Sequence, residues 1–165
     1  MKKIICCLLV AVMLSACGGT KNSDTKQETN QETAPRKEGE KRVGDIIMVN
    51  GELGVVFAAT TDGQHGKVMS ASQTECVWDD AKKWCADLGY CWKLPTIDEL
   101  LVIYRNKAVI NSALKTNGYT MLGEWHYWSS EISDEFCAWY VTMSDGHTLD
   151  PYKSDSNYVR AVSTF

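Results

Sequence analysis

Trp92-Lys93-Leu94-Pro95-Thr96-Ile97-Asp98-Glu99-Leu100 is the stretch on which the reading of this chain turns. Pro95 disfavours helix at Leu94 and pushes it towards an extended backbone. Thr96 then has the side chain of an N-cap. Glu99, three residues on, is placed to return a bond to the Thr96 backbone, which makes Thr96–Glu99 a capping box. Ile97, Leu100, Leu101 and Tyr104 follow at helical spacing, so a helix is expected over Ile97–Arg105. Thr96 and Glu99 are structural residues on this reading.

Outward from that stretch the segments are short. Asp45–Val49 is a strand closed by Asn50-Gly51, a hairpin-turn dipeptide. Leu53–Ala59 is apolar on both faces, as in a sheet covered on both sides. Thr61–Gly66 is a polar turn, and His65 is read as a turn residue that bonds nearby backbone. Lys67–Ala71 returns antiparallel. Trp78–Leu88 is an amphipathic helix, with Trp78, Ala81, Cys85 and Leu88 on one stripe and Gly89 after it. Helical turns follow over Lys107–Lys115. Beyond Trp125 come strands at Phe136–Met143, with Cys137, Trp139, Val141 and Met143 on one face, and at Tyr158–Phe165. In that last strand Val159 and Ala161 point inward and Arg160 points outward or is paired. This order implies an α+β domain of mostly antiparallel sheets with two main helical segments.

Composition divides the 165 residues into three parts. Residues 1–16 have a basic start at Lys2 and Lys3, a short apolar run and small residues before Cys17, the pattern of a secretory signal. The apolar run is shorter than the roughly 20 residues a membrane-spanning helix needs. Leu14-Ser15-Ala16-Cys17 resembles a bacterial lipobox, which implies cleavage before Cys17 and lipid attachment there. Residues 17–43 form a lipidated cysteine and a flexible tether: Gly18–Arg42 has no aromatic and a near-balanced charge, too little apolar surface to offset ordering entropy. Residues 44–165 carry all six Trp and form one domain. That domain has nine Lys/Arg against sixteen Asp/Glu, net −7. Nucleic acid and heparin-like polyanions are poor partners for such a surface. Gly18 lacks the Asp that commonly retains lipoproteins at an inner membrane. The expected address is therefore the outer membrane, on its surface or periplasmic face.

The exported part contains Cys76, Cys85, Cys91 and Cys137. An even number in an oxidising compartment suggests up to two disulfides, with three pairings possible. Zinc is the alternative, but no Cys-x-x-Cys is present.

Several segments in order carry a resemblance. They are Gly54-Val55-Val56-Phe57, Asp62-Gly63-Gln64-His65-Gly66, Trp78-x-x-Ala81-x-x-x-Cys85-x-x-Leu88 and Trp92-Lys93-Leu94-Pro95-Thr96-x-x-Glu99-Leu100. Tyr127-Trp128-Ser129-Ser130, Trp139-Tyr140-Val141 and Tyr158-Val159-Arg160-Ala161-Val162 complete the set. Together they resemble the Lcl-like C-terminal domain of bacterial collagen-like adhesins, also found in many lipoproteins. That family belongs with the formylglycine-generating-enzyme branch of C-type-lectin-like folds. Lys93 stands where the family commonly has Arg. The resemblance implies a compact mixed domain whose two ends meet in the sheet, with a variable ligand surface in the C-terminal half.

Three kinds of chemistry are open to such a chain. Relatives that generate formylglycine use a cysteine-based copper site, but Cys85 and Cys137 lie on apolar faces and read as inert thiols. Pairing Cys137 with His126 or His147 as a nucleophile identifies no helper acid or oxyanion donors. Calcium is a weak possibility through Glu131, Asp134, Glu135, Asp145, Asp150 and Asp155, which lack EF-hand or lectin-type spacing. Recognition fits best. Trp125, His126, Tyr127, Asp134, His147, Asp150, Tyr152, Asp155 and Asn157 combine aromatic area with short polar groups. Trp128 and Trp139 are core residues on this reading. The expectation is a non-catalytic, lipid-anchored envelope protein that binds a glycan or protein, with no cofactor. A structural or assembly lipoprotein and a thiol-dependent enzyme are the alternatives.

Overall fold

The computed structural model describes residues 35–165. The signal segment, Cys17 and the tether up to Ala34 lie outside the described residues. The compact unit comprises Arg36–Phe165, so it takes in residues that composition assigns to the tether. The cause is polar. Arg36 pairs with Asp45 at 2.9 Å and Arg42 with Glu40 at 2.7 Å, and the Lys41 amide donates to the Gly63 carbonyl.

The described residues form two sheets and three helices. The strands are β1 (Ile46–Val49), β2 (Glu52–Ala59), β3 (Gly66–Ser70), β4 (Thr74–Cys76), β5 (His126–Ile132), β6 (Ala138–Thr142), β7 (Thr148–Leu149), β8 (Asn157–Val159) and β9 (Val162–Thr164). The helices are α1 (Trp78–Asp87), α2 (Ile97–Arg105) and α3 (Lys107–Thr116). The first sheet has the order β1-β2-β3-β9, so the first and last described strands share it. The second has the order β4-β8-β5-β6-β7 and is antiparallel except where β8 runs parallel to β5. Asn50 and Gly51 both take positive φ, 48° and 88°, as a two-residue hairpin between right-twisted strands requires.

Two cores result. One gathers Val55, Phe57 and Met69 from the first sheet, Leu100, Ile103, Ile110 and Leu114 from α2 and α3, and Tyr127, Val141 and Met143 from the second sheet. The other packs Trp78, Ala81 and Cys85 of α1 against Trp92, Leu94, Trp128, Ala138, Tyr140, Val159 and Ala161. The second sheet is thus covered on both faces. Full burial of each large apolar side chain contributes roughly 1.5–3 kcal/mol.

The stretch Trp92–Leu100 passes from one core to the other: Trp92 and Leu94 belong to the α1 core, Leu100 to the α2–α3 core. Hydrogen bonds stitch it to three distant segments. Lys93 and Val162 exchange amide bonds, the Ser130 amide donates to the Pro95 carbonyl, and Trp92 Nε1 donates to the Val49 carbonyl. The capping box is present, with Glu99 N donating to Thr96 Oγ1 at 3.1 Å and Thr96 N to Glu99 Oε2 at 2.9 Å. Glu99 Oε1 also takes the Lys67 ammonium at 2.8 Å. Burial pushes the Glu99 carboxyl up, but the Lys67 and Thr96 bonds outweigh it and hold the group below the usual carboxylate range.

Three expectations change. The strand expected over Tyr158–Phe165 is two strands, β8 and β9, in different sheets. Arg160, expected outward or paired, lies at the crossing and is 1% exposed. It has no carboxylate partner among the described ion pairs. Its guanidinium donates to the carbonyls of Ser70, Ala71, Ser72 and Thr120. Burial lowers its pKa to about 10. Trp139 is half-buried rather than core, although it shares its face of β6 with the buried Val141 and Met143. The helix expected over Ile97–Arg105 and the helical turns expected over Lys107–Lys115 are present as α2 and α3, which meet at Asn106, whose side-chain amide donates to the Phe57 carbonyl.

Candidate functional site

The register of β5, β6 and β7 decides which side chains share a surface. Trp128 faces Tyr140, and Tyr140 faces Leu149; His126 faces Thr142. The Thr142 amide donates to the His147 carbonyl at 2.8 Å, so the pairing continues one residue further and sets His147 beside Thr142. On the other side β8 runs parallel to β5 with Tyr127 opposite Tyr158, which brings Asn157 next to His126. Since side chains alternate across a sheet, Asn157, His126, Tyr140 and Thr142 share the face that carries α1. α1 covers the Trp128 part of that face. The His126 end is left as a rim.

The rim is polar and held in place. The His126 ring stacks on Tyr140 with centroids 4.4 Å apart and an interplanar angle of 25°. His126 Nδ1 and Thr142 Oγ1 share a hydrogen bond of 3.0 Å, which leaves Nε2 outside that bond. Burial, and then the Asp155 carboxylate, raise the Tyr140 phenol above its ordinary pKa. Tyr140 is therefore a neutral donor at physiological pH. Asn157 is 8% exposed and supplies both an amide donor and an acceptor. His147 Nδ1 pairs with Asp145 at 3.1 Å in the turn beside it. The arrangement offers donors, acceptors and one aromatic face within a few strand spacings.

Of the nine residues expected to bind ligand, four meet here: His126, His147, Asp155 and Asn157. Tyr127 is a correction. It is 1% exposed, faces the α2–α3 core, and its hydroxyl accepts the Gly123 amide. Trp125 is 57% exposed but stacks on Tyr158 at 6.0 Å, and Tyr158 in turn meets Tyr127. It therefore belongs to the face opposite His126. Asp134, Asp150 and Tyr152 lie at the β5–β6 hairpin end. There the Asp134 carboxylate accepts the Phe136 and Cys137 amides, and Asp150 accepts from Ser133 Oγ. Tyr140 and Thr142 were not anticipated. The period-two alternation of Ala138, Tyr140 and Thr142 was the available signal, hidden because the opposite set is also apolar.

Cys76, Cys85, Cys91 and Cys137 are free thiols rather than disulfides, the other reading open to them. Cys76 and Cys85 sit in or against the α1 core, Cys91 accepts from Asn50 Nδ2, and Cys137 lies in the hairpin beside Asp134. Burial pushes the Cys85 thiol up to about 12 and also raises Cys76 and Cys137. Among the described residues no three His, Cys, Asp or Glu side chains gather as a metal site. Of the acids considered for calcium, Glu131 accepts the Ile97 amide and Asp145 the His147 amide. Again among the described residues, no helix is long and apolar enough to cross a membrane.

Residues 53–163 match the family model of the Lcl C-terminal domain. No curated protein matches the chain. Among solved structures the chain is similar to botrocetin, at 13% identity and a TM-score of 0.42, over 59% of this chain and 90% of that one.

Proposed function

We propose, for a chain that belongs to the Lcl C-terminal domain family, the role of a lipid-anchored envelope protein with a C-type-lectin-like domain. The domain recognises a glycan or a protein without catalysis. The His126–Tyr140–Thr142 cluster, joined by Asn157 and Asp155, carries this reading: its polar groups are fixed by one another before any ligand arrives, and preorganisation lowers the cost of binding. Anchoring through Cys17 and display from the outer membrane rest on the sequence pattern alone.

The test is a glycan array and a pull-down with the soluble domain, repeated with His126→Ala and Asn157→Ala. Binding by the parent that drops about tenfold or more in both variants is expected, as for loss of charge-assisted or buried polar contacts. Ligand binding untouched by either variant, or turnover of a substrate, overturns the proposal. Cys17→Ser is expected to move the protein from the membrane fraction to the soluble one.

Thiol-dependent catalysis makes a different prediction. It needs an activated thiolate, whereas the raised thiols support inert ones. Maleimide added to the native domain at pH 7 is expected to leave Cys85 unmodified until denaturant is added. Rapid native labelling of Cys85 would favour the enzyme reading instead.

A further inference from the structure

Buried polar side chains in a folded protein are nearly always paired, so an unpaired one calls for a physical reason. Among the described residues the Asn157 carboxamide and the Tyr140 hydroxyl have no hydrogen-bond partner, although each residue is only 8% exposed. They are not sealed in. The fully enclosed side-chain atoms without a partner belong to Gln73, Arg160 and Ser163, so the polar tips of Asn157 and Tyr140 reach the surface. Both lie on the face of the second sheet that carries His126, Asn157 on the strand to one side of β5 and Tyr140 on the strand to the other. His126, between them, is held by Thr142.

These groups constrain an occupant. A carboxamide both donates and accepts. An ammonium or guanidinium only donates and would leave the Asn157 NH2 unmet. A carboxylate or sulfate only accepts and would leave the Asn157 carbonyl unmet. It would also face the Asp155 carboxylate, which after burial is the second influence that raises the Tyr140 phenol. The matching ligand is therefore uncharged where it touches the rim. An extended peptide can meet such groups through its backbone, but strand addition needs a free sheet edge. β8, β5 and β6 each have a strand on both sides, so only side chains are offered. A hydroxyl donates and accepts through one atom, and a sugar ring carries several on a rigid frame, which lowers the ordering cost of binding. Asn157, His126 and Thr142 stand on three successive strands, a span of about 10 Å, on the scale of one sugar ring with its hydroxyls.

We propose that the rim takes one uncharged pyranose unit through side chains alone, the Asn157 carboxamide bonding two of its hydroxyls and the Tyr140 hydroxyl another. The inference rests on the recognition role proposed above and narrows its ligand. It gives the two unpaired side chains their reason: the groups that pair them belong to the sugar. The net charge of −7 over residues 44–165 disfavours acidic and sulfated sugars in the same way that Asp155 does.

The experiment is an amide NMR titration of the Cys17→Ser chain, in EDTA, with methyl glucoside, methyl galactoside and methyl mannoside. Glucuronate is the anionic arm, glucosamine the cationic arm and N-acetyl-trialanine amide the peptide arm. Saturable binding of at least one methyl hexoside is expected, with shifts at His126, Thr142 and Asn157. Tyr140→Phe, which keeps the stacked ring, should weaken it about fivefold, and Asn157→Leu, close in volume, about tenfold. Neither should lower the thermal midpoint, because the removed groups bond nothing in the free protein. That readout separates a ligand role from a structural one. Binding of none of the three hexosides, tighter binding of glucuronate, glucosamine or the peptide, a requirement for calcium, or a lowered midpoint with binding unchanged each overturns the proposal. Peptide binding at the rim would end this narrowing and leave the recognition role standing, whereas turnover of a substrate with no ligand in any arm would end both.

Discussion

The two ends of the second sheet present their side chains in contrasting ways. At the His126 end, polar groups bond to one another: His126 to Thr142, His126 stacked on Tyr140, Asp155 facing Tyr140. At the hairpin end, the backbone does the bonding through the Asp134 carboxylate and the Lys153 ammonium, and the rings of Phe136 and Tyr152 are left free. At one end polar side chains are tied to one another, and at the other two aromatic rings stay exposed. The middle of the sheet is covered on both faces by the two cores.

The largest expected effect separates the supports of the two ends. Arg160→Leu removes the donor to the carbonyls of Ser70, Ala71, Ser72 and Thr120. Buried acceptors left without partners should cost about 3 kcal/mol. The loop before β5 ends at the His126 rim, so its amides from Thr120 to Trp125 should lose hydrogen-exchange protection before those around Asp134 do. Equal loss at both ends would show that Arg160 stabilises the whole fold without favouring the rim.

Next is the helix cap. Thr96→Ala should cost about 1 kcal/mol in a urea titration. The Glu131 carboxylate, which also caps α2, ties the cost to β5 near its hairpin end. A double variant with Glu131→Gln should exceed the sum of the singles if the two caps share one helix start; simple additivity would break that link.

A smaller effect concerns pH. The Glu99 carboxyl is lower in the folded state than in the unfolded chain. Its stabilisation is therefore present above the unfolded carboxylate pKa and is lost as pH falls through the folded one. Glu99→Gln keeps the box geometry and should flatten the stability curve below about pH 4.5 while changing little at pH 7, where the partly exposed Lys67 makes the ion pair worth roughly 0–1 kcal/mol. An unchanged acid limb would show that Glu99 acts through its cap alone. Smallest of all is Tyr152→Ala, expected within about 0.5 kcal/mol of the parent; a larger loss would mean that the ring supports the fold rather than facing a ligand.

These contrasts show where sequence reading stopped. The box Thr96–Glu99 and the hairpin at Asn50-Gly51 involve residues within four positions of one another, and their geometry follows from local bonds. The nine expected ligand residues were grouped because they are near in sequence, and the sheet separates them. Trp125 and His126 are neighbours in the chain on opposite faces. Tyr127 goes to the core between them and Tyr158. Tyr140 was overlooked because both faces of β6 are buried, which erases the alternation that marks a half-buried strand.

By itself the sequence determined the α+β class, the family segments, the helix starts and the acidic, aromatic-rich character of the domain, since each depends on local spacing or on composition. Only the tertiary structure decided that Trp92–Leu100 bridges two cores, that the last strand divides at Arg160 between two sheets, and that His126 meets Asn157 while Trp125 turns away. The physical reason is register. A one-residue step in a strand exchanges its faces, and the partner that sets the step is contributed by a segment tens of residues distant.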